Sequence, residues 1–318
     1  MAYATGTASS HTDLWTKLLS FLTTNSSLVS AGQAWTQVWS VTNQVVLKGP
    51  GLAGADNIYI GLSRVDDPAN DSYSIHMRGM SGILAGATDI GGHINVSKVV
   101  GIYSDSQPMT YWFVANGRRF VVVLKISTVF QAMYGGLFLP YAVPDSYPYP
   151  LFVGGTRGEN PSTPVSWRNT NADHTQFISP NYSAPTIRDS CAFMLSPAAE
   201  WLRCWNNGSD PGEPKIGIAP EQMFEGWGIE DNGSNGYGYD SIRQKMTAAY
   251  DGTFPLIDIA LVQALPSDQT YGVLHGCYRV PGAANSSENI ITSGSVNHLV
   301  VQNAFRTGTG QYWALALE

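Results

Sequence analysis

Residues 111–125 constrain this chain more than any other stretch. Asn116 and Gly117 separate two runs, Tyr111–Ala115 and Arg118–Lys125, that are rich in aromatic and β-branched side chains. Asn-Gly between such runs predicts a β-hairpin closed by a type I′ turn, because both residues tolerate positive φ. The second run, Phe120 to Leu124, is apolar at every position. A strand of that kind needs cover on both faces, so it belongs in mid-sheet or between two layers.

The flanking sequence continues the β theme after one helix. Leu14, Leu18 and Leu22, with Trp15 and Leu19, recur at helical spacing, and Ser10 or Thr12 can cap their N-terminus. The helix is therefore expected over Thr12–Thr24 as the first regular element, with a short second turn ending at Gly32. Short runs at Ala34–Val41, Gln44–Lys48, Asn57–Ser63, Tyr73–Arg78 and Lys98–Tyr103 read as strands of the sheet against which it packs. Pro140, Pro144, Pro148 and Pro150, interleaved with Tyr141, Tyr147 and Tyr149, cannot form a central strand.

These features predict an α+β, predominantly β chain: an N-terminal helix packed on an antiparallel sheet (1–142), a Pro/Tyr-rich connector (143–155) and a loop-rich β domain (156–318). In the last, Asp251 and Gly252 suggest a hairpin turn leading into Leu256–Leu265, and residues 240–250 have the alternative of a short helix. His298–Phe305 and Tyr312–Leu317 should pair around residues 307–310. Residues 134–144 and 271–281 agree at six of eleven positions, but their neighbours do not extend the match, which reads as coincidence.

Charge narrows the function. Only 13% of residues are charged, about half the usual share, and the net charge is −7. The 17 Lys and Arg form no run longer than Arg118-Arg119, so no phosphate-tracking stripe exists and nucleic acid is not an expected partner. No window is long and apolar enough for membrane insertion, and MAYATGTASSHTDLW lacks the features of a signal peptide. Nine Trp and 16 Tyr in so charge-poor a chain suit extensive contact with other protein, or a self-filled β core. Cys191, Cys204 and Cys277 read as reduced, buried thiols.

Catalytic templates fail one by one. Gly49 to Gly54 spell GxGxxG, yet Asn57–Leu62 after them reads as a strand, leaving no helix N-terminus for a phosphate. His11, His76, His93, His174, His275 and His298 have no zinc-ligand spacing, and no nucleophile elbow occurs. Glu221, Glu225, Glu230, Asp231 and Asp240 cluster in sequence without a calcium-loop register. No catalytic, cofactor or metal residue is assigned, and the chain is read as a non-enzyme. Trp201, Trp205, Trp227, Tyr237 and Tyr239 are candidate surface-binding aromatics, since exposed rings stack on sugars.

Two stretches together resemble a known family. The first runs YWFVANGRRFVVV (111–123), GGLFLPYA (135–142) and YPYPLFVGG (147–155). The second runs YGVLHGCYRVPG (271–282), Glu288 with Asn289, and LVVQNAFRTG (299–308). Both resemble virion structural proteins of tailed phages, often labelled tail proteins, as does the opening MAYATGTA with its Leu-rich helix. The resemblance implies an assembly role in the tail, baseplate or neck, made in the host bacterial cytoplasm and built into the virion. Its partners would be other virion proteins and further copies in a homo-oligomeric ring, with Tyr141, Tyr147 and Tyr149 as candidate assembly contacts. A host-surface glycan-binding module and a glycan-cleaving virion enzyme are the competing classes.

Overall fold

The structure is a computed structural model that describes residues 1–143, 146–156, 166–168, 175–178, 191–204, 215–219, 253–263 and 269–318. The protein is predominantly β. Its N-terminal half contains β1 (Ala2–Ala8), α1 (His11–Thr24), α2 (Ser26–Ser30), β2 (Thr36–Val41), β3 (Gln44–Gly49) and β4 (Ile58–Asp67). These are followed by β5 (Ser72–Gly82), β6 (Ile94–Val96), β7 (Val100–Ser104), β8 (Met109–Ala115), β9 (Arg119–Ile126), β10 (Val129–Leu137) and β11 (Leu139–Pro140). Next come β12 (Leu151–Gly154), β13 (Ala192–Leu195), β14 (Trp201–Cys204) and β15 (Lys215–Ala219). The chain closes with β16 (Ile257–Gln263), β17 (Gln269–Arg279), β18 (Ile290–Ser293), β19 (Val296–Gln302) and β20 (Tyr312–Ala316).

Among the described residues, β2 to β7 form a six-stranded sheet and the other strands a 14-stranded one. The larger sheet curls until the β18–β19 end approaches β9 and β10: Phe130 N donates to Ala304 O at 3.1 Å, Gln302 Nε2 to Thr128 O at 3.0 Å, and Lys125 pairs with Glu288. The period-two rule then sorts its side chains. From β9, Val121 and Val123 enter a core enclosed by the curl, while Phe120, Val122 and Leu124 enter a second core shared with the smaller sheet. Neighbouring strands obey the same split, with Phe152 inward and Leu151 and Val153 outward. The run that was apolar at every position is therefore buried on both faces.

The opening of the chain differs from expectation. Its first regular element is β1, which pairs with β8 from Ala2↔Ala115 to Ala8↔Met109. Ala, Thr and Gly give β1 little apolar alternation, so the pairing is set by β8. Helix α1 follows, with Ser10 Oγ accepting from Asp13 N at 3.3 Å as its N-cap. Leu14, Leu18, Phe21 and Leu22 join the second core, where the Phe21 and Phe113 rings lie 5.6 Å apart. Asn25 Oδ1 caps α2, and Gly32 stops it at φ 66°.

The hairpin forms, but its turn is not type I′. Neither Asn116 nor Gly117 has positive φ, and Asn116 N bonds to Arg119 O at 3.0 Å. Asn116 Oδ1 accepts from Arg118 N at 2.8 Å and Arg119 N at 3.0 Å, while its carbonyl accepts from Trp35 Nε1 at 2.9 Å. Glycine is required for another reason: a Cβ on Gly117 would lie 1.9 Å from Gly51 O. Close backbone contact selects Gly117 and the side-chain acceptor selects Asn116; turn handedness selects neither.

The strand ladder runs through the expected connector. β12 pairs with β10 on one side and β13 on the other. The two similar segments meet in space, with Leu139↔Val273, Pro140↔Gly272 and a 2.9 Å bond from Tyr141 N to Tyr271 O. β16 pairs with β17 and β15, while the turn proposed at Asp251-Gly252 and the helix alternative at 240–250 lie outside the described residues. β19 and β20 pair as expected.

Inside the curl, Gln176 is fully buried and fully used. Its Nε2 donates to Phe130 O at 3.1 Å and Gln302 O at 3.0 Å, and its Oε1 accepts from Trp313 Nε1 at 2.6 Å. A satisfied amide in an apolar core fixes the register of the segments it joins. On the outside, Trp167 Nε1 donates to Asp105 Oδ2 at 2.6 Å, and Arg168 pairs with Asp71 and Asp105. Residues 166–168 are thereby clipped to the ends of β5 and β7.

Candidate functional site

Among the described residues, the arm after β10 holds the two most exposed large hydrophobic side chains, Tyr141 and Val143. Pro140 has no N–H to give a sheet, so β11 is two residues long and serves to attach the arm to β17. The chain is exposed here: Leu139 within β11 is 36% exposed, and beyond it Tyr141 is 65% and Val143 66% exposed. Tyr149 is 41% exposed. Tyr147 is turned inward instead, between the Phe138 and Tyr271 rings, with its hydroxyl donating to Leu195 O. Burial holds that hydroxyl well above the ordinary phenol range. Of the three tyrosines proposed as contacts, Tyr147 thus anchors the arm within the fold, and Tyr141 and Tyr149 are presented to the surroundings. The alternation of proline and tyrosine could not separate those roles, because the burial of Tyr147 comes from contacts with Phe138, Tyr271 and Leu195 that are distant from it in sequence.

Among the proposed surface aromatics, Trp201 is half-buried. Its Nε1 donates to Asn95 O at 2.9 Å, and its ring lies over Gly79, where a Cβ would approach it to 2.5 Å. It locks β14 onto the smaller sheet, and only part of the ring is free to meet a ligand. Trp205, Trp227, Tyr237 and Tyr239 lie outside the described residues, as do Glu221, Glu225, Glu230, Asp231, Asp240 and His174.

One constellation was invisible in the sequence. Ser104 Oγ lies 2.6 Å from His11 Nδ1, and His11 Nε2 lies 3.9 Å from Asp66 Oδ1. The residue types are those of a nucleophilic triad, brought from three separate elements. Ser104 is only 1% exposed and His11 3%, so no substrate carbonyl can reach the hydroxyl in this geometry. Burial, opposed by the Asp66 charge and aided by that of Arg64, lowers the imidazole pKa to about 4. Neutral His11 joins α1 to β7 and is a structural link.

The remaining templates resolve locally. The GxGxxG segment leads into β4, and Gly51 N donates to Gly117 O at 2.8 Å, so its backbone is occupied. Cys191, Cys204 and Cys277 are buried thiols; burial pushes Cys191 and Cys277 up to about 12 and Cys204 well up as well. Among the described residues no group of three His, Cys, Asp or Glu has metal-binding geometry, and no helix is long and apolar enough to cross a membrane.

A shallow groove of about 430 Å³ lies between α1 and the β1–β8 pair. Its apolar side is Phe21, Tyr111 and Phe113, the last two stacked 4.2 Å apart, and its hydroxyl side is Thr16, Ser20 and Thr24. Comparison of the sequence with protein-family models and with curated proteins finds no match.

Proposed function

We propose that this protein is a structural subunit of a tailed-phage virion, placed in the tail, baseplate or neck, and acting through protein contacts. The observation that carries this reading is the anchored arm. A proline-stiffened segment tied down by Tyr147 costs little entropy to hold and offers Leu139, Tyr141, Val143 and Tyr149 to a neighbour. Aromatic side chains in low-charge surroundings are what interface cores are made of. The resemblance of residues 111–155 and 271–308 to virion proteins supports the same role.

On this reading the helix-bearing β unit of residues 1–142, the Pro/Tyr-rich connector 143–155 and the loop-rich β unit of 156–318 act as one building block of a homo-oligomeric ring. It is made in the bacterial cytoplasm, without membrane insertion or nucleic-acid contact, and needs no catalytic residue. Mass spectrometry of gradient-purified particles should find the chain at stoichiometric level; its absence from particles would end the proposal. Glycan binding is a second reading, favoured by the half-buried Tyr111 ring, backed by buried Phe113, beside a row of hydroxyls. Glycan-array retention that Tyr111→Ala abolishes would favour it over assembly.

A further inference from the structure

Arg119 opens β9 on the inner face of the curl, in step with Val121 and Val123. It is fully buried. Its Nη2 contacts the Met1 sulfur at 3.3 Å and packs on Gly276, where a Cβ would come within 2.3 Å. Gly276 has φ 73°, so both its conformation and its missing side chain make room for the guanidinium.

Nε and Nη1 of Arg119 have no hydrogen-bond partner, and no carboxylate pairs with this side chain among the described residues. Beside it, His275 leaves Nδ1 buried and without a partner. Arg118 adds a second guanidinium nearby, whose Nε is 3.7 Å from Asp56. A buried cation without a counter-charge is among the most expensive arrangements in a folded protein. A second guanidinium, Arg279, is buried in the same interior, where its Nη2 donates to Ile178 O.

We propose that Arg119 and His275 form a site for one oxyanion, of the carboxylate or phosphate class, at the end of the curled sheet. The unmet donors are those that a carboxylate or phosphate oxygen accepts from, and Met1, whose sulfur touches Nη2, is itself 38% exposed. Burial and the charges of Arg119 and Arg118 depress the His275 pKa to about 4. A bound anion offsets that field and lets the imidazole take a proton more readily.

The test uses the full chain in chloride buffer, titrated with sodium phosphate or sodium acetate at constant ionic strength. Melting temperature and the NMR titration of the His275 ring are followed together. The expected result is a saturable rise in melting temperature with at least one anion, an increase in the His275 pKa at saturation, and affinity at least about tenfold weaker in Arg119→Met. A response to phosphate alone, or to acetate, identifies the class. Should Arg119→Met fail to fold, His275→Gln provides the comparison through the melting curve. Equal shifts in wild type and variants, or no shift with an unmoved His275 titration, would overturn the proposal.

Discussion

Trp35 Nε1 donates to the carbonyl of Asn116 across 81 residues of sequence, at 2.9 Å. The bond ties the segment before β2 to the turn between β8 and β9, and so joins the smaller sheet to the larger. Trp35 is almost fully buried, edge-on to Phe120 with ring centres 5.4 Å apart. The turn is shaped by this packing.

Gly117→Ala should destabilise the fold by about 2–4 kcal/mol, since its Cβ would press on Gly51 O. Asn116→Gly, harmless in a type I′ turn, should instead cost about 1–2 kcal/mol by removing the acceptor of two backbone N–H groups. Urea unfolding of the two variants checks both. An Asn116→Gly protein as stable as wild type would restore the turn-handedness explanation.

Stability should fall as the solution is acidified from about pH 6.5 toward 4. The folded pKa of His11 is depressed to about 4 by burial, so the unfolded chain binds its proton first as pH drops. The contribution is complete above the unfolded value and lost on the way down, amounting to about 3 kcal/mol at most. His275 acts in the same direction. Thermal melts from pH 7.5 to 4 on wild type and His11→Gln test this, the variant showing the shallower decline.

Buried and exposed arm residues should behave differently. Tyr147→Phe leaves Leu195 O without its donor and should lower stability by about 1–3 kcal/mol. Tyr141→Ser and Val143→Ser, at exposed positions, should leave the melting temperature within a degree or so and weaken association with neighbouring subunits. Light scattering beside calorimetry separates the two effects.

Cys191, Cys204 and Cys277 should be inert to a thiol-reactive dye in the native state and all react after denaturation, because their thiols are buried and hard to ionise. Reaction of Cys277 under native conditions would show that the curled sheet opens.

Much of the fold was legible because it rests on local period. Leu14, Leu18 and Leu22 marked α1, and the unbroken apolar run at 120–124 announced a strand between two cores. β1 was not legible, since AYATGTA has no pattern of its own and is recruited by β8. The course of the larger sheet through residues 143–155 was hidden for a related reason: proline marks where strands cannot be, not where the chain resumes pairing. Tyr147 and Tyr141 look alike in sequence and differ only in which way the arm turns them. The Ser104–His11–Asp66 grouping and the unmet charge of Arg119 arise from contacts across the sequence that no spacing rule encodes.

Cryo-electron microscopy of the intact particle tests the assembly role most directly. Density for this fold is expected at symmetric positions in the tail, baseplate or neck, with Tyr141 and Val143 buried against a neighbouring subunit. Particles without such density, or with the 139–149 arm exposed to solvent in every copy, would contradict it.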